Sequence, residues 1–251
     1  MAHAFRPWTS AAMFAAFVIA VPAPLDRVDA APPPTPTFSN PLEITNTYFP
    51  FVVGGVKTFE GVSGNAKTRV EDTYLVATRT FQLNGTSVAC HILREKEFED
   101  GLISEISHNY FAQGDDGAVY YFGELVDIYD ETGAIVAHDG SWLVGGPTLP
   151  TDPAETAVAM APGVIMPESP GLGATWKPED LFPIVDETAQ VVQGDVGVNV
   201  PAGHFDECIK VRETSQIDAG FESKWYAPGV GVVKVTAGGE HLKLISTTFG
   251  Q

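Results

Sequence analysis

The sequence is poor in positive charge and in long apolar segments, and each shortage excludes a class of protein. The chain of 251 residues has 14 lysines and arginines against 32 aspartates and glutamates, which gives a net charge of −18. So few cations cannot build a surface that neutralises phosphates, and nucleic acid is not an expected partner. No segment after residue 30 is apolar and long enough to cross a bilayer, so no membrane span is predicted.

The common catalytic signatures are also missing. The sequence contains no Gly-x-Ser-x-Gly elbow, no phosphate-binding Gly-x-x-x-x-Gly-Lys loop and no His-Glu-x-x-His zinc helix. Whether the protein is an enzyme therefore stays open at this point, and a non-catalytic role is favoured. No cofactor is expected, with a divalent metal ion as the alternative.

Cysteine is nearly absent, with Cys90 and Cys208 as the two examples. In an oxidising compartment an even pair favours a disulfide, which here would join two distant parts of the chain. The alternative is two separate buried thiols that behave as small apolar side chains.

The N-terminus has the pattern of a secretory signal peptide. Arg6 precedes a short apolar run, and Val28-Asp29-Ala30 supplies a cleavage site with Ala31 as the first mature residue. The run is too short to span a membrane. We therefore predict a secreted or periplasmic protein that is divided as follows: signal peptide 1–30, Pro-rich leader 31–41, first β half 42–142, Pro-rich crossover or lid 143–180 and second β half 181–251.

Turn signals recur every sixteen residues in the first half. Glycines at 85, 101, 117 and 133 follow Asn, Asp, Asp and Thr, and β-branched and aromatic residues fill the segments between them. Asn-Gly and Asp-Gly favour two-residue hairpins, since both turn residues need positive φ. The pattern predicts an all-β fold with an antiparallel meander of long strands.

Two-residue turns also predict a register. Around the turn at 100–101, Phe98 would face Ile103 and Lys96 would face Glu105. Around the turn at 116–117, Phe111 would face Phe122, so that these two aromatic side chains share one side of the sheet.

A faint internal repeat predicts two related halves. The segment CHILRE at 90–95 has the same cysteine-to-arginine spacing as CIKVRE at 208–213, and NYFA at 109–112 parallels KWYA at 224–227. Two antiparallel meanders, each a curved sheet, would share one core. The Pro-rich crossover between them contains the apolar segment AVAMAPGVIMP with Met160, which we expect to cover the core or the ligand.

The histidines of the first half suggest a metal site. The predicted register puts His91 and His108 diagonally on one face, and Glu95 shares that face. Two imidazoles and a carboxylate could hold a divalent ion if a histidine of the second half joined them. A register slip of one residue would separate them.

Four segments together resemble a group of secreted bacterial proteins of unassigned function. They are TNTYFPFVVG at 45–54, YFAQGDDGAVYYFGE at 110–124, PGVIMPESPGLG at 162–173 and VPAGHFDECIKVRET with KWYAPGVGVVK between 200 and 234. The second half is distantly similar to small periplasmic domains whose curved antiparallel sheet is like that of lipoprotein carriers. The resemblance implies a fold and a compartment, and it implies no catalytic residues.

These observations lead to one main functional hypothesis. The protein is expected to bind an apolar small molecule or a protein partner on curved β-sheet, with Phe111, Phe122, Tyr226 and Met160 as lining residues. The alternatives are a metal-binding protein or metal-dependent enzyme that uses His91, His108 and Glu95, and a structural protein of the cell envelope.

Overall fold

The computed structural model describes residues 35–217 and 219–250. The predicted signal peptide, its cleavage site and the first residues of the leader lie outside the described residues. The described ranges contain β-strands and no helix, which confirms the all-β prediction. They accordingly contain no helix that is long and apolar enough to cross a membrane.

Fifteen strands are present in the described ranges. Their bounds are β1 Val56–Ser63, β2 Ala66–Leu83, β3 Thr86–Glu99, β4 Leu102–Gln113, β5 Val119–Tyr129, β6 Ile135–Ala137, β7 Trp142–Val144, β8 Ala157–Ala159, β9 Gly163–Met166, β10 Thr175–Leu181, β11 Val185–Val200, β12 Gly203–Thr214, β13 Glu222–Ala227, β14 Gly231–Ala237 and β15 Glu240–Thr247.

The strands form one curved, nearly closed sheet. Its order is β10-β11-β12-β13-β14-β15-β1-β2-β3-β4-β5-β7-β8, and β6 and β9 both pair with β5. All pairs are antiparallel except β7 with β8. The strands of the second predicted half thus continue directly into those of the first through the pair β1–β15. That the two halves are related stays a prediction.

The first two predicted hairpin turns are confirmed. Leu83 pairs with Thr86 across the turn at 84–85, and Glu99 pairs with Leu102 across the turn at 100–101. Asn84 and Asp100 have positive φ, as do the glycines after them. Positive φ at both positions is what a type I′ turn requires, which explains why Asn-Gly and Asp-Gly stand there.

Beyond the second turn the predicted register holds for one pair only. Phe98 faces Ile103 as expected, but a bulge follows, so that Glu97 faces Glu105 and Lys96 faces Ile106. The extra residue of a bulge shifts every later pair by one.

The third turn is longer than predicted, and Phe111 and Phe122 do not face each other. Gln113 pairs with Val119, and residues 114–118 form a loop closed by a hydrogen bond from the Gly114 amide to the Ala118 carbonyl. Phe111 consequently pairs with Tyr121. A slip of one residue turns a side chain to the other face of a sheet.

The contacts of the two phenylalanines confirm this correction. Phe111 packs against Phe49 and Tyr121, with ring centroids 4.8 and 4.9 Å away. Phe122 packs against Phe38 and Phe81, with centroids 5.5 Å away in each case. The two side chains therefore lie on opposite faces of the sheet.

The leader takes part in the fold from at least Phe38 onwards. Phe38 packs on Tyr120 and Phe122, and the Ser39 amide donates a hydrogen bond of 2.7 Å to Asp115. The Pro41 carbonyl accepts a hydrogen bond from the Gln113 amide. The folded region thus begins earlier than the predicted boundary at 42.

The Pro-rich segment does not form a separate layer over the sheet. It supplies β8, β9 and part of β10, and β9 lies between β5 and β10. Gly163 of β9 pairs with Tyr121 of β5, and the Trp176 indole of β10 donates a hydrogen bond of 3.2 Å to the Ile165 carbonyl. The segment therefore brings the two ends of the curved sheet together.

Candidate ligand-binding cavity

A cavity of about 180 Å³, partly open to solvent, lies within the curve of the sheet. The residues that line it come from both predicted halves of the chain. Strand alternation points side chains of β2 to β5 toward it. Its lining combines aromatic rings with ionisable groups. The rings are Phe49, Phe59, Tyr74, Phe111, Tyr121 and Tyr226, and the ionisable groups are Lys57, Asp72, Glu95, Glu124, Glu179, Glu187 and Lys224.

Three of the ionisable groups form a row across neighbouring strands. Lys57 of β1 pairs with Asp72 of β2, and Asp72 pairs in turn with Glu95 of β3. Directly opposed residues in an antiparallel sheet share one face, so these three side chains all point inward. The row therefore places one ammonium and two carboxyl groups on the cavity wall.

Asp72 and Glu95 are hydrogen-bonded to each other, so the protonation of one affects the pKa of the other. Burial raises the pKa of Asp72 to about 6, while the charge of Lys57 opposes that rise. The pKa of Glu95 is raised well above its ordinary value by burial, and the nearby charge of Asp72 raises it further. Of the two carboxyl groups, Glu95 therefore holds its proton to higher pH than Asp72.

One oxygen of Asp72 is left without a partner. The residue is 7% exposed, and its Oδ1 has no hydrogen-bond partner among the described residues. A buried oxygen without a donor costs free energy.

Lys57 is held by aromatic rings. Its Nζ lies 4.7 Å from the ring centroid of Phe249 and 5.4 Å from that of Tyr74. Burial lowers the pKa of this lysine to about 8. The ring faces and Asp72 favour the charged form, as expected for a cation–π arrangement.

The opposite wall carries three further carboxyl groups. Trp142 donates a hydrogen bond of 2.9 Å to Glu179, whose pKa burial raises to about 7. Burial likewise raises the pKa of Glu124 and that of Glu187 well above the ordinary value. Burial therefore makes the carboxyl groups around the cavity easier to protonate than ordinary carboxyl groups.

Lys224 is already occupied by carboxylates. Its Nζ lies 2.6 Å from Glu213 and 3.4 Å from Glu222, and these charges hold the pKa of Lys224 well above its ordinary value. Its charge also lowers the pKa of Glu95, Glu179 and Glu187, against the larger effect of burial.

The structure brings two of the four predicted lining residues to the cavity. Phe111 and Tyr226 line it. Phe122 is fully buried on the other side of the sheet, and Met160 is 85% exposed at the surface. The long turn at 114–118 shifts β5 by one residue and so turns Phe122 away from the cavity. Met160 lies at the surface because the apolar segment that contains it packs into the sheet with Met166, which is fully buried.

The predicted metal ligands do not converge. His91 pairs with Phe111, whereas His108 pairs with Arg94, so the two imidazoles point to opposite faces. His91 stacks on Phe51 and contacts the Leu42 carbonyl at 2.9 Å. Among the described residues no group of three or more His, Cys, Asp or Glu could hold a metal ion. Glu95 does reach the cavity, but as the neighbour of Asp72.

The predicted disulfide is absent. Cys90 and Cys208 are both free and fully buried. They lie on β3 and β12, which five other strands separate in the sheet order. The alternative of two separate buried thiols describes them correctly.

Sequence reasoning missed the inward carboxyl groups other than Glu95. The available signal was an acidic residue between apolar residues of the same face, as in Val70, Asp72 and Tyr74. An acidic residue at an inward position is unusual because burial opposes its charge. To recognise it, one must know which face of the sheet each residue points to, and that depends on the register of the strands.

Comparison with known proteins adds no relative to this geometry, since no family model, no curated protein and no solved structure matches the chain.

Proposed function

We propose that this protein binds a small molecule in the cavity inside its curved sheet, without transforming it. The observation that carries the proposal is the lining itself, in which six aromatic rings surround a space that also contains ionisable groups. Ligand sites are typically apolar and aromatic with a few placed polar groups, and carboxyls with shifted pKa values often mark functional sites.

The cavity volume limits the ligand. A cavity of about 150 Å³ is known to hold benzene, and drug-sized sites start at about 300 Å³. A space of about 180 Å³ therefore suits a ligand of one ring with a short substituent. A lipid chain exceeds this volume.

The compartment remains part of the proposal. The N-terminal sequence pattern supports export, and the acidic net charge of −18 suits a protein that stays in solution. A binding protein outside the cytoplasm is the role that agrees with both features.

Filling the cavity tests the proposal. Leu93 is buried and lines the cavity, whereas Leu102 is 54% exposed at the start of β4. We expect Leu93→Phe to abolish binding of a one-ring probe, because the larger side chain occupies the ligand volume. Leu102→Phe is the matched control and should bind like the unaltered protein.

Calorimetry with three probes gives the readout: benzyl alcohol, benzylamine and benzoate. Binding of at least one probe in a one-to-one complex, lost in Leu93→Phe only, would support the proposal. If none of the three binds, and native mass spectrometry of protein from its own host shows no adduct, the cavity is a packing defect and the proposed function is wrong.

A further inference from the structure

We propose that the ligand is a small organic cation, an amine attached to an apolar or aromatic body, and that its ammonium binds beside Asp72. This inference rests on the proposed function and specifies its ligand class. It depends on three features of the cavity: the surplus of carboxyl groups, the unpartnered oxygen of Asp72 and the aromatic faces.

The count of charges in the cavity wall favours a cation. Five carboxyl groups and two ammonium groups line the space, and one of the ammonium groups is engaged by two carboxylates outside the cavity lining. An additional positive charge would stabilise the ionised form of several carboxyl groups at once. An anionic ligand would receive no such stabilisation and would raise the pKa values of the same groups further.

Asp72 provides the specific contact. Asp72 lines the cavity, and its buried Oδ1 has no donor among the described residues. A ligand ammonium supplies N–H donors and a charge together, and such charge-assisted hydrogen bonds are about twice as strong as neutral ones. A purely apolar ligand would leave this oxygen without a partner.

The rings provide the second contact. Lys57 already has its ammonium over Phe249 and Tyr74, so this side of the cavity tolerates a cation against aromatic faces. The remaining rings of the lining, including Phe111, Tyr121 and Tyr226, can hold the body of the ligand. Recognition of organic ammonium groups by aromatic cages uses the same combination.

A bare metal ion fits this wall less well than an organic cation. No cluster of metal-ligating groups is found in residues 35–217 and 219–250. An organic cation extends over several ångströms and needs one close carboxylate, with the other groups at longer distance.

Binding should release protons. The ionisable groups that face the ligand from all neighbouring strands are Lys57, Asp72, Glu95, Glu124, Glu179, Glu187, Lys224 and the hydroxyls of Tyr74, Tyr121 and Tyr226. Carboxyl groups that are protonated in the empty cavity lose protons when a cation arrives. The affinity for an amine should therefore rise with pH between about pH 5 and pH 8, because the unperturbed amine stays charged over this range.

The experiment compares benzylamine with benzyl alcohol and benzoate by calorimetry. We expect benzylamine to bind at least tenfold more tightly than benzyl alcohol and benzoate to show no binding. Asp72→Asn should remove most of the amine preference, whereas Asp139→Asn, at an exposed position, should keep it. Proton release is measured with the unaltered protein in two buffers of different ionisation enthalpy, so it does not depend on the folding of a variant.

The outcomes separate the two proposals. Equal binding of amine and alcohol, tighter binding of benzoate, or amine binding without proton release would overturn the cation inference and leave small-molecule binding intact. Binding by none of the probes, together with no adduct in native mass spectrometry, would instead remove the proposed function.

Discussion

At the scale of single residues, Glu97 and Glu105 face each other across β3 and β4, although both are 4% exposed. Burial raises the pKa of Glu97 to about 10, with a further rise from Glu105, whose own pKa burial raises to about 7. The folded protein therefore holds protons that the unfolded chain gives up above its ordinary carboxyl pKa. Stability is highest below that value and falls as the pH rises toward the raised values.

Replacing Glu97 with glutamine should flatten this pH dependence. Between about pH 5 and pH 8 the free energy of unfolding should fall less steeply in Glu97→Gln, by about 1.4 kcal/mol per pH unit, because one linked proton is removed. Urea unfolding at several pH values measures the slope. The control Glu60→Gln, at an exposed position of β1, should leave it unchanged, and an unchanged slope in Glu97→Gln would contradict the assignment.

Asp152 fixes a surface loop to β2 through a buried ion pair. Arg79 donates to both of its carboxylate oxygens, at 2.9 and 2.7 Å, and the amides of Thr148 and Leu149 donate to it as well. Asp152→Asn leaves the buried guanidinium without a counter-charge and should lower the free energy of unfolding by about 3 kcal/mol. Chemical denaturation measures this loss. Asp139→Asn is the exposed control, and equal stability of both variants would show that the pair is energetically neutral.

At the scale of elements, the sequence predicted strands well and their relative register less well. The Asn-Gly and Asp-Gly turns at 84–85 and 100–101 were predictable because only a few residues adopt two consecutive positive φ values. The loop at 114–118 contains the same Asp-Gly pair, yet its turn is set by the bond between Gly114 and Ala118 and by contacts with the leader. Those contacts come from residues far away in sequence, so a local pattern could not reveal them.

The candidate site depended on that same register. Phe111 and Tyr226 do line the cavity. Phe122 does not, because the turn before β5 is longer than predicted, and His91 and His108 do not share a face because a bulge shifts β3 against β4. The cavity itself arises where strands far apart in the chain meet. Its volume depends on the curvature of the whole sheet, which no local pattern encodes.

Glycine permits the close approach of β9 to β10. A Cβ on Gly163 would lie 1.8 Å from the Pro178 carbonyl oxygen, a backbone atom that cannot move aside alone. Gly163→Ala should therefore push the two strands apart and lower the free energy of unfolding by about 1–3 kcal/mol, the usual cost of overpacking. Thermal unfolding measures it.

The matched control is Gly194→Ala in β11, where a Cβ meets no atom within 4 Å. We expect this variant to keep the unaltered stability within about 0.5 kcal/mol. If both glycine variants lose the same stability, the loss in Gly163→Ala does not come from the contact between β9 and β10.

At the scale of the whole molecule, no disulfide links the two predicted halves in the described residues, since Cys90 and Cys208 are free. Burial raises the pKa of Cys208 to about 11 and that of Cys90 well above its ordinary value, so both thiols should be unreactive in the folded state. We expect slow alkylation by iodoacetamide until the protein is unfolded, and the same melting temperature with and without reductant. A mass lower by two hydrogens, restored by reductant, would contradict this.

The pairing of β1 with β15 has a consequence for how the protein is made. A ribosome delivers β1 long before β15, so one edge of β1 has no partner until nearly all described residues have emerged. An unpaired edge is a template for strands of other chains. Nascent or prematurely ended chains should therefore aggregate through this edge, and any chaperone that accompanies synthesis has to shield the earliest strand until the latest one arrives.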